Sequence, residues 1–226
     1  MNIRSWIMPT ALAIASTALL LAAWAYGGGS IDGFTNQPVR PLFLACTAIM
    51  FFAGPLASRR IGNVNAKGDN HVKQQDYMIF ISMGLSLALG LLSPWSDAKG
   101  IGVLPGGNVL RWIGLAVYLL GSVLMIWAPV HLGRLFSTRV TLQEGHRLVT
   151  DGPFAFMRHP RYAGCLYWGV GLPLVFLSIP GLVAALLYGL TFAWRIHDEE
   201  RLLAEHFGDQ WAAYANRTKR LVPYLF

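Results

Sequence analysis

The chain has 226 residues, of which 54% are hydrophobic and 13% charged, and a formal net charge of +7. Soluble domains carry about 25% charged residues; here the deficit sits in long uncharged runs separated by short charged patches, which excludes an ordinary soluble domain and reads as membrane spans with their loops. The positive balance then answers to anionic lipid headgroups and topology, and no nucleic-acid partner is expected.

About 20 apolar helical residues cross a hydrocarbon core about 30 Å thick. The first run, residues 6–26, follows Arg4. Ala23-Trp24-Ala25 loosely fits a signal cleavage site, but the run exceeds a usual signal core and Trp6, Trp24 and Tyr26 bracket it as interfacial aromatics do, so a retained span is expected. Residues 39–57, 77–95 and 109–130 follow as three further spans. Two shorter runs, 163–179 and 181 to about 194, are separated only by Pro180 and predict a tight helical hairpin. Cys46 and Cys165 both fall inside apolar runs and read as small apolar fillers rather than a disulfide pair.

The connecting segments give the topology. The stretch 59–75 holds Arg59, Arg60, Lys67 and Lys73, whereas 27–38 has no Lys or Arg and 96–108 only Lys99. With six alternating spans and both termini cytoplasmic, all but three of the 18 Lys and Arg residues fall on one side; the exceptions are Arg40, Lys99 and Arg111. That bias fits the positive-inside rule. Within the charged C-terminal third, residues 138–150 suit a small β-hairpin around Glu144-Gly145. Gly208 can stop one helix and Asp209 cap another, and Trp211 and Tyr214 share a face that suggests a short interfacial helix over 210–217.

Two segments carry candidate chemistry. In the first, residues 148–164, Gly152-Pro153 forces a turn and Pro160 suits the first turn of the next helix. Arg158 and His159 then lie beside free helix N–H groups, an arrangement that favours an anionic ligand group. Interfacial charges with a capping histidine are an equal alternative. In the second, residues 194–203, Arg195, Glu199 and Glu200 continue a run of about 21 Å, too short to clear the bilayer. Arg195 and Glu199, four apart, can pair at headgroup depth; ionisable groups there are paired or line a polar cavity, and a plain cytoplasmic exit sequence is the competing reading. His131 and His146 have no partner at metal-ligand spacing, and no metal is expected. Gly164, Gly169 and Gly171 suit close helix packing better than ligand approach.

Taken in order, Gly152-Pro153-Phe154 with Arg158-His159-Pro160, Tyr162 and Gly164, then Arg195 with Glu199-Glu200 and Leu203, then Phe207-Gly208 with Trp211 and Tyr214, resemble the isoprenylcysteine carboxyl methyltransferase family, and in part the related phospholipid N-methyltransferases. The resemblance covers about residues 135–223. It implies an S-adenosylmethionine-dependent methyltransferase with a lipophilic or small membrane-permeable acceptor. The expected fold is all-α, a multi-pass transmembrane bundle of about six spans with a small cytoplasmic cofactor-binding region, divided into 1–132 and 133–226. By resemblance, Leu148, Gly152 and Pro153 supply cofactor contacts, His159 and Tyr162 line the pocket, Glu199 and Glu200 serve the cofactor and the organisation of the site, and Arg158, Arg195 and Glu199 stand at the catalytic end. Phe154 departs from the pattern, since Tyr is common there.

The residue types suit that cofactor: carboxylates can accept from its ammonium or ribose hydroxyls, and Arg or His can hold its carboxylate. A carboxylate or thiolate acceptor needs no base, whereas a protonated amine would need one, with Glu199 the first candidate. A membrane NADPH-dependent reductase of the sterol-reductase type is the alternative, sharing the Arg-His-Pro turn and the Val222-Pro223-Tyr224 ending but lacking the paired glutamates.

Overall fold

The computed structural model describes residues 4–58, 75–136 and 147–223. Among these the regular structure is helical: α1 (Arg4–Tyr26), α2 (Ile31–Thr35), α3 (Val39–Ser58), α4 (Gln75–Lys99), α5 (Gly107–Leu132), α6 (Pro160–Val175), α7 (Ile179–Phe207) and α8 (Asp209–Arg217), with 3-10 turns at Gly133–Leu135 and Gly152–Ala155. The basic segment 59–74 and most of the expected hairpin lie outside the described residues; 147–150 form no strand. Three stretches, Tyr77–Lys99, Gly107–Leu135 and Ile179–Phe207, are long and apolar enough to cross a membrane, and Thr10–Tyr26 and Val39–Gly54 are shorter apolar helices.

The expected apolar runs fall largely within helices, although only three of these are long and apolar enough to cross, and the helix edges differ from the runs for local reasons. The break between α6 and α7 is not at Pro180. It falls at Phe176-Leu177-Ser178, where the Ser178 hydroxyl accepts from the Gly181 N–H at 2.9 Å, and Pro180 sits in the first turn of α7. A proline there costs no helical hydrogen bond. From that start α7 runs 29 residues, about 43 Å, so one rigid rod joins the apolar interior to the charged end.

Helices α5 and α6 meet backbone to backbone. A Cβ on Gly164 would lie 2.8 Å from the Gly121 carbonyl oxygen and 2.9 Å from the Met125 nitrogen, and one on Gly114 would lie 2.6 Å from the Val175 nitrogen. Small residues give this approach where apolar burial alone cannot draw helices together in lipid. Gly169 instead faces Tyr188 of α7 and Leu89 of α4. The packing reading of these glycines holds. Helices α4 and α7 close the other side through Leu89, Ala184, Ala185, Tyr188 and Phe192, with a Ser82–Thr191 hydroxyl pair at 2.9 Å.

At the end away from the charged tail, Arg40, Asp97 and Arg111 form a buried cluster. Arg40 donates to Asp97 Oδ2 from Nε at 3.1 Å and Nη2 at 2.7 Å, and to the Gly33 carbonyl at 2.8 Å. Arg111 spans both Asp97 oxygens at 2.7 and 2.8 Å and reaches the Val175 carbonyl at 2.7 Å. Trp24 stacks on Arg40 at 4.5 Å. Two of the three residues that break the charge bias are therefore held by one aspartate, and the cluster ties α1 through α6 together at that end. Charges this deep persist only when paired and hydrogen-bonded.

Candidate active site

The site lies at the opposite end, where α5 stops, α6 starts and α7 continues into α8. Helix α5 ends at Leu132, and the Gly133 N–H at its C-cap donates to the Pro129 carbonyl. The segment 147–151 then returns in irregular conformation, and Gly152 turns it with φ +57°. His131 of α5 packs over that glycine so closely that a Cβ there would lie 2.5 Å from Cε1 of the ring. The same imidazole, through Nε2, is 3.0 Å from Oδ1 of Asp151, and this hydrogen bond holds the Asp151 carboxyl below the usual carboxylate range. Pro153, within the 3-10 turn, is fully buried. Gly152 and Pro153 thus shape the loop, whereas Leu148 and Val149 face a cavity.

That cavity is walled by Leu132, Leu135 and Phe136 after α5, by Leu148, Val149 and Phe154, by Arg158, His159, Arg161 and Tyr162 at the start of α6, by Glu199, Leu202 and Leu203 of α7, and by Trp211 and Tyr214 of α8. Helix α6 begins at Pro160 with His159 at its N-cap position, as the sequence predicts, but the His159 side chain makes no capping bond. Its ring stands between the two glutamates: Nε2 is 3.2 Å from Glu200 Oε1 and Nδ1 is 4.0 Å from Glu199 Oε1. Tyr162 lies beside it, ring centroids 5.7 Å apart.

The neighbouring glutamates do different things because consecutive helical residues point about 100° apart, whereas i, i+3 and i+4 share a face. Glu199 shares the cavity face with Leu202 and Leu203. Glu200 turns toward the chain after α8, where Arg158 Nε donates to its Oε1 at 2.9 Å and Arg220 Nε to its Oε2 at 3.0 Å. Arg158 reaches the cavity wall, yet its Nη1 also donates to the Ala215 and Thr218 carbonyls. Arg195 does not line the cavity. It is 5% exposed, one layer below, with Nε 3.5 Å from the Tyr162 hydroxyl and its guanidinium 5.9 Å from that ring.

Sequence reasoning missed the wall formed by α8. Gly208, at φ +49°, ends α7 and itself occupies the N-cap position of α8; Asp209 is the first helical residue rather than the cap. Trp211 and Tyr214 do not form an outward interfacial face: they are 7% and 3% exposed and turn inward. The Tyr214 hydroxyl donates to the Phe154 carbonyl at 2.7 Å, and burial pushes its pKa up to about 12, so it stays a donor. Their three-residue spacing signalled a shared face but not what covers it. Leu203 stood in the sequence pattern without a role, and Leu202 could have been found from the same periodicity, as a neighbour of Glu199.

The donor set fits S-adenosylmethionine. Its ammonium and ribose hydroxyls need acceptors, which Glu199 offers. Its carboxylate needs cationic donors, which Arg158 and Arg161 bring to the wall, and its adenine needs apolar and aromatic surface, which Leu148, Leu203 and Trp211 present.

Comparison with known proteins agrees. Residues 112–205 match the isoprenylcysteine carboxyl methyltransferase (ICMT) family. Protein-S-isoprenylcysteine O-methyltransferase B of Arabidopsis thaliana is 31% identical over 198 residues, covering 85% of this chain and 98% of the relative. The Tribolium castaneum protein-S-isoprenylcysteine O-methyltransferase is 33% identical over 129 residues, 54% of this chain and 45% of the relative. A solved structure of the eukaryotic intramembrane Ras methyltransferase ICMT superposes with a TM-score of 0.55 at 25% identity, over 83% of this chain and 68% of that one. These matches leave no ground for the reductase alternative. The chain belongs to the isoprenylcysteine carboxyl methyltransferase family, and it is an integral multi-pass membrane methyltransferase that uses S-adenosylmethionine.

Proposed function

We propose that this enzyme esterifies the free carboxylate of an S-isoprenylated cysteine. The observation that carries this reading is the match along 98% of the Arabidopsis isoprenylcysteine O-methyltransferase, which takes in 85% of this chain and so reaches well beyond the charged third. A carboxylate acceptor also suits the site, because it needs no base. When bound, the cofactor supplies a methyl group activated on a sulfonium. The acceptor's anionic oxygen forms the new O–CH3 bond as the S–CH3 bond breaks, and opposite charges on the two partners cancel. Such a step is favoured where water is excluded and the partners are held in line.

In this reading Glu199 accepts from the cofactor's donor groups, assisted by His159 Nδ1, which is left as an acceptor when Nε2 donates to Glu200. Leu148, Gly152 and Pro153 shape and line the cofactor side, the last two by fixing the loop. Tyr162 forms the floor, and Arg195 beneath it supports that ring while its charge favours an anionic acceptor nearby. Arg158 contributes positive charge at the wall. The chain crosses the membrane six times, with both termini and the site cytoplasmic; residues 1–132 form the spanning scaffold and 133–226 the methyltransferase region. The alternation of helix ends and the charge bias support this topology.

The test supplies labelled S-adenosylmethionine and separately offers an S-farnesylated cysteine with a free carboxylate, phosphatidylethanolamine, and a small thiol. The expected result is label on the farnesylated cysteine alone, released by mild base as an ester is. Label on the lipid amine or the thiol, in base-stable form, would overturn the proposal.

A further inference from the structure

Glu200 has no acceptor capacity left for a ligand. An ionised carboxylate offers about four lone-pair positions. Arg158 Nε and His159 Nε2 approach Oε1 at 2.9 and 3.2 Å, while Arg220 approaches Oε2 from Nε at 3.0 Å and from Nη2 at 2.8 Å. The Glu200 side chain is 14% exposed, so water does not replace these donors freely.

The same residues pin the chain that follows α8. Arg158 N–H donates to the Lys219 carbonyl at 2.8 Å and His159 N–H to the Arg220 carbonyl at 3.0 Å, making a short parallel bridge between 157–159 and 219–220. Arg158 Nη1 adds the Ala215 and Thr218 carbonyls, and the Tyr167 hydroxyl donates to the Leu221 carbonyl at 3.3 Å. Helix α8 is therefore fixed at two points, Gly208 at its start and this bridge at its end. Between them Trp211 and Tyr214 close the cofactor cavity.

We infer that Arg220 is a positioning residue for methyl transfer: acting through Glu200, it fastens the end of α8 so that Trp211 and Tyr214 stand as the outer wall of the cofactor pocket. Arg220 does not line the pocket and is the most exposed member of the cluster, at 44% for its side chain. The inference rests on the reading that this pocket holds S-adenosylmethionine. It reassigns Glu200 from a cofactor ligand to the anchor of that fastening.

Calorimetric titration of S-adenosylmethionine into the full-length protein in detergent tests it with Glu200→Gln, Arg220→Ala, Arg220→Lys and the Glu200→Gln/Arg220→Ala double variant. Coupled residues share their loss, whereas independent ones multiply it. Arg220→Ala is expected to weaken cofactor binding about fivefold or more, Arg220→Lys to restore part of it, and the double variant to bind no worse than Glu200→Gln alone. In turnover, the KM for S-adenosylmethionine should rise while kcat at saturating cofactor and the KM for the acceptor stay within about twofold. A general loss of fold would lower kcat and Tm together and would count against the inference. So would wild-type affinity in Arg220→Ala, or losses that multiply in the double variant. If the wild-type protein itself fails to bind S-adenosylmethionine, the pocket assignment fails instead.

Discussion

Gly152→Ala isolates the loop that presents Leu148 and Val149 to the proposed cofactor cavity. At φ +57° an L-residue loses roughly 1–2 kcal/mol relative to glycine. The new methyl would also meet His131 Cε1 at 2.5 Å, so the ring must move and its 3.0 Å bond to Asp151 is lost. That bond is exposed and adds little to the cost. The dihedral alone therefore sets about 1–2 kcal/mol against the binding-competent loop, or about a 5- to 30-fold loss in affinity for S-adenosylmethionine. Because the clash and the dihedral are separable, His131→Ala/Gly152→Ala should recover the steric part and bind more tightly than Gly152→Ala alone. Calorimetric titration in detergent reads both. Affinity in Gly152→Ala within about threefold of wild type, or no recovery in the double variant, would refute the claim that His131 and the left-handed glycine fix this loop.

Tyr214→Phe leaves the Phe154 carbonyl without its 2.7 Å donor, and an unpaired, part-buried acceptor should lower Tm by about 3 °C, read by thermal unfolding in detergent. Asp97→Asn strips the charge that pairs Arg40 and Arg111, and breaking such a buried cluster costs about 3–5 kcal/mol; the folded fraction on size exclusion should fall sharply while residual folded protein keeps its cofactor affinity, because the cluster is at the far end. Arg195→Lys removes the planar guanidinium beneath Tyr162 and should reduce kcat more than the KM for S-adenosylmethionine, measured in steady-state turnover.

What could be read in the sequence follows from which forces act locally. The apolar helices were legible because a bilayer demands about 20 apolar residues wherever the chain crosses, and the start of α6 was legible because Pro160 fits only the first turn. The site region was legible as a family pattern, but its internal division of labour was not. Glu199 and Glu200 look alike in sequence; they separate only when α7 is placed against both the cavity and the tail, since Arg220 lies 20 residues beyond Glu200. Arg195 was expected at the catalytic end, and nothing local showed that Tyr162, 33 residues earlier, would cover it. The inward turn of Trp211 and Tyr214 likewise depends on Phe154, 60 residues away from Tyr214. The Arg40–Asp97–Arg111 cluster was seen only as exceptions to a charge rule, because its ion pairs span 57 and 14 residues.

The most direct test of the central claim, that the cavity bounded by Leu148, His159, Glu199 and Trp211 is the cofactor pocket, is a calorimetric comparison of wild type and Glu199→Gln titrated with S-adenosylmethionine and with NADPH. A charge-assisted hydrogen bond contributes about 1.5–3 kcal/mol, so wild type should show saturable one-site binding of S-adenosylmethionine and none of NADPH, with affinity for the former reduced about 10- to 100-fold in Glu199→Gln. Unchanged S-adenosylmethionine affinity in Glu199→Gln, or binding of NADPH in place of S-adenosylmethionine, would contradict it.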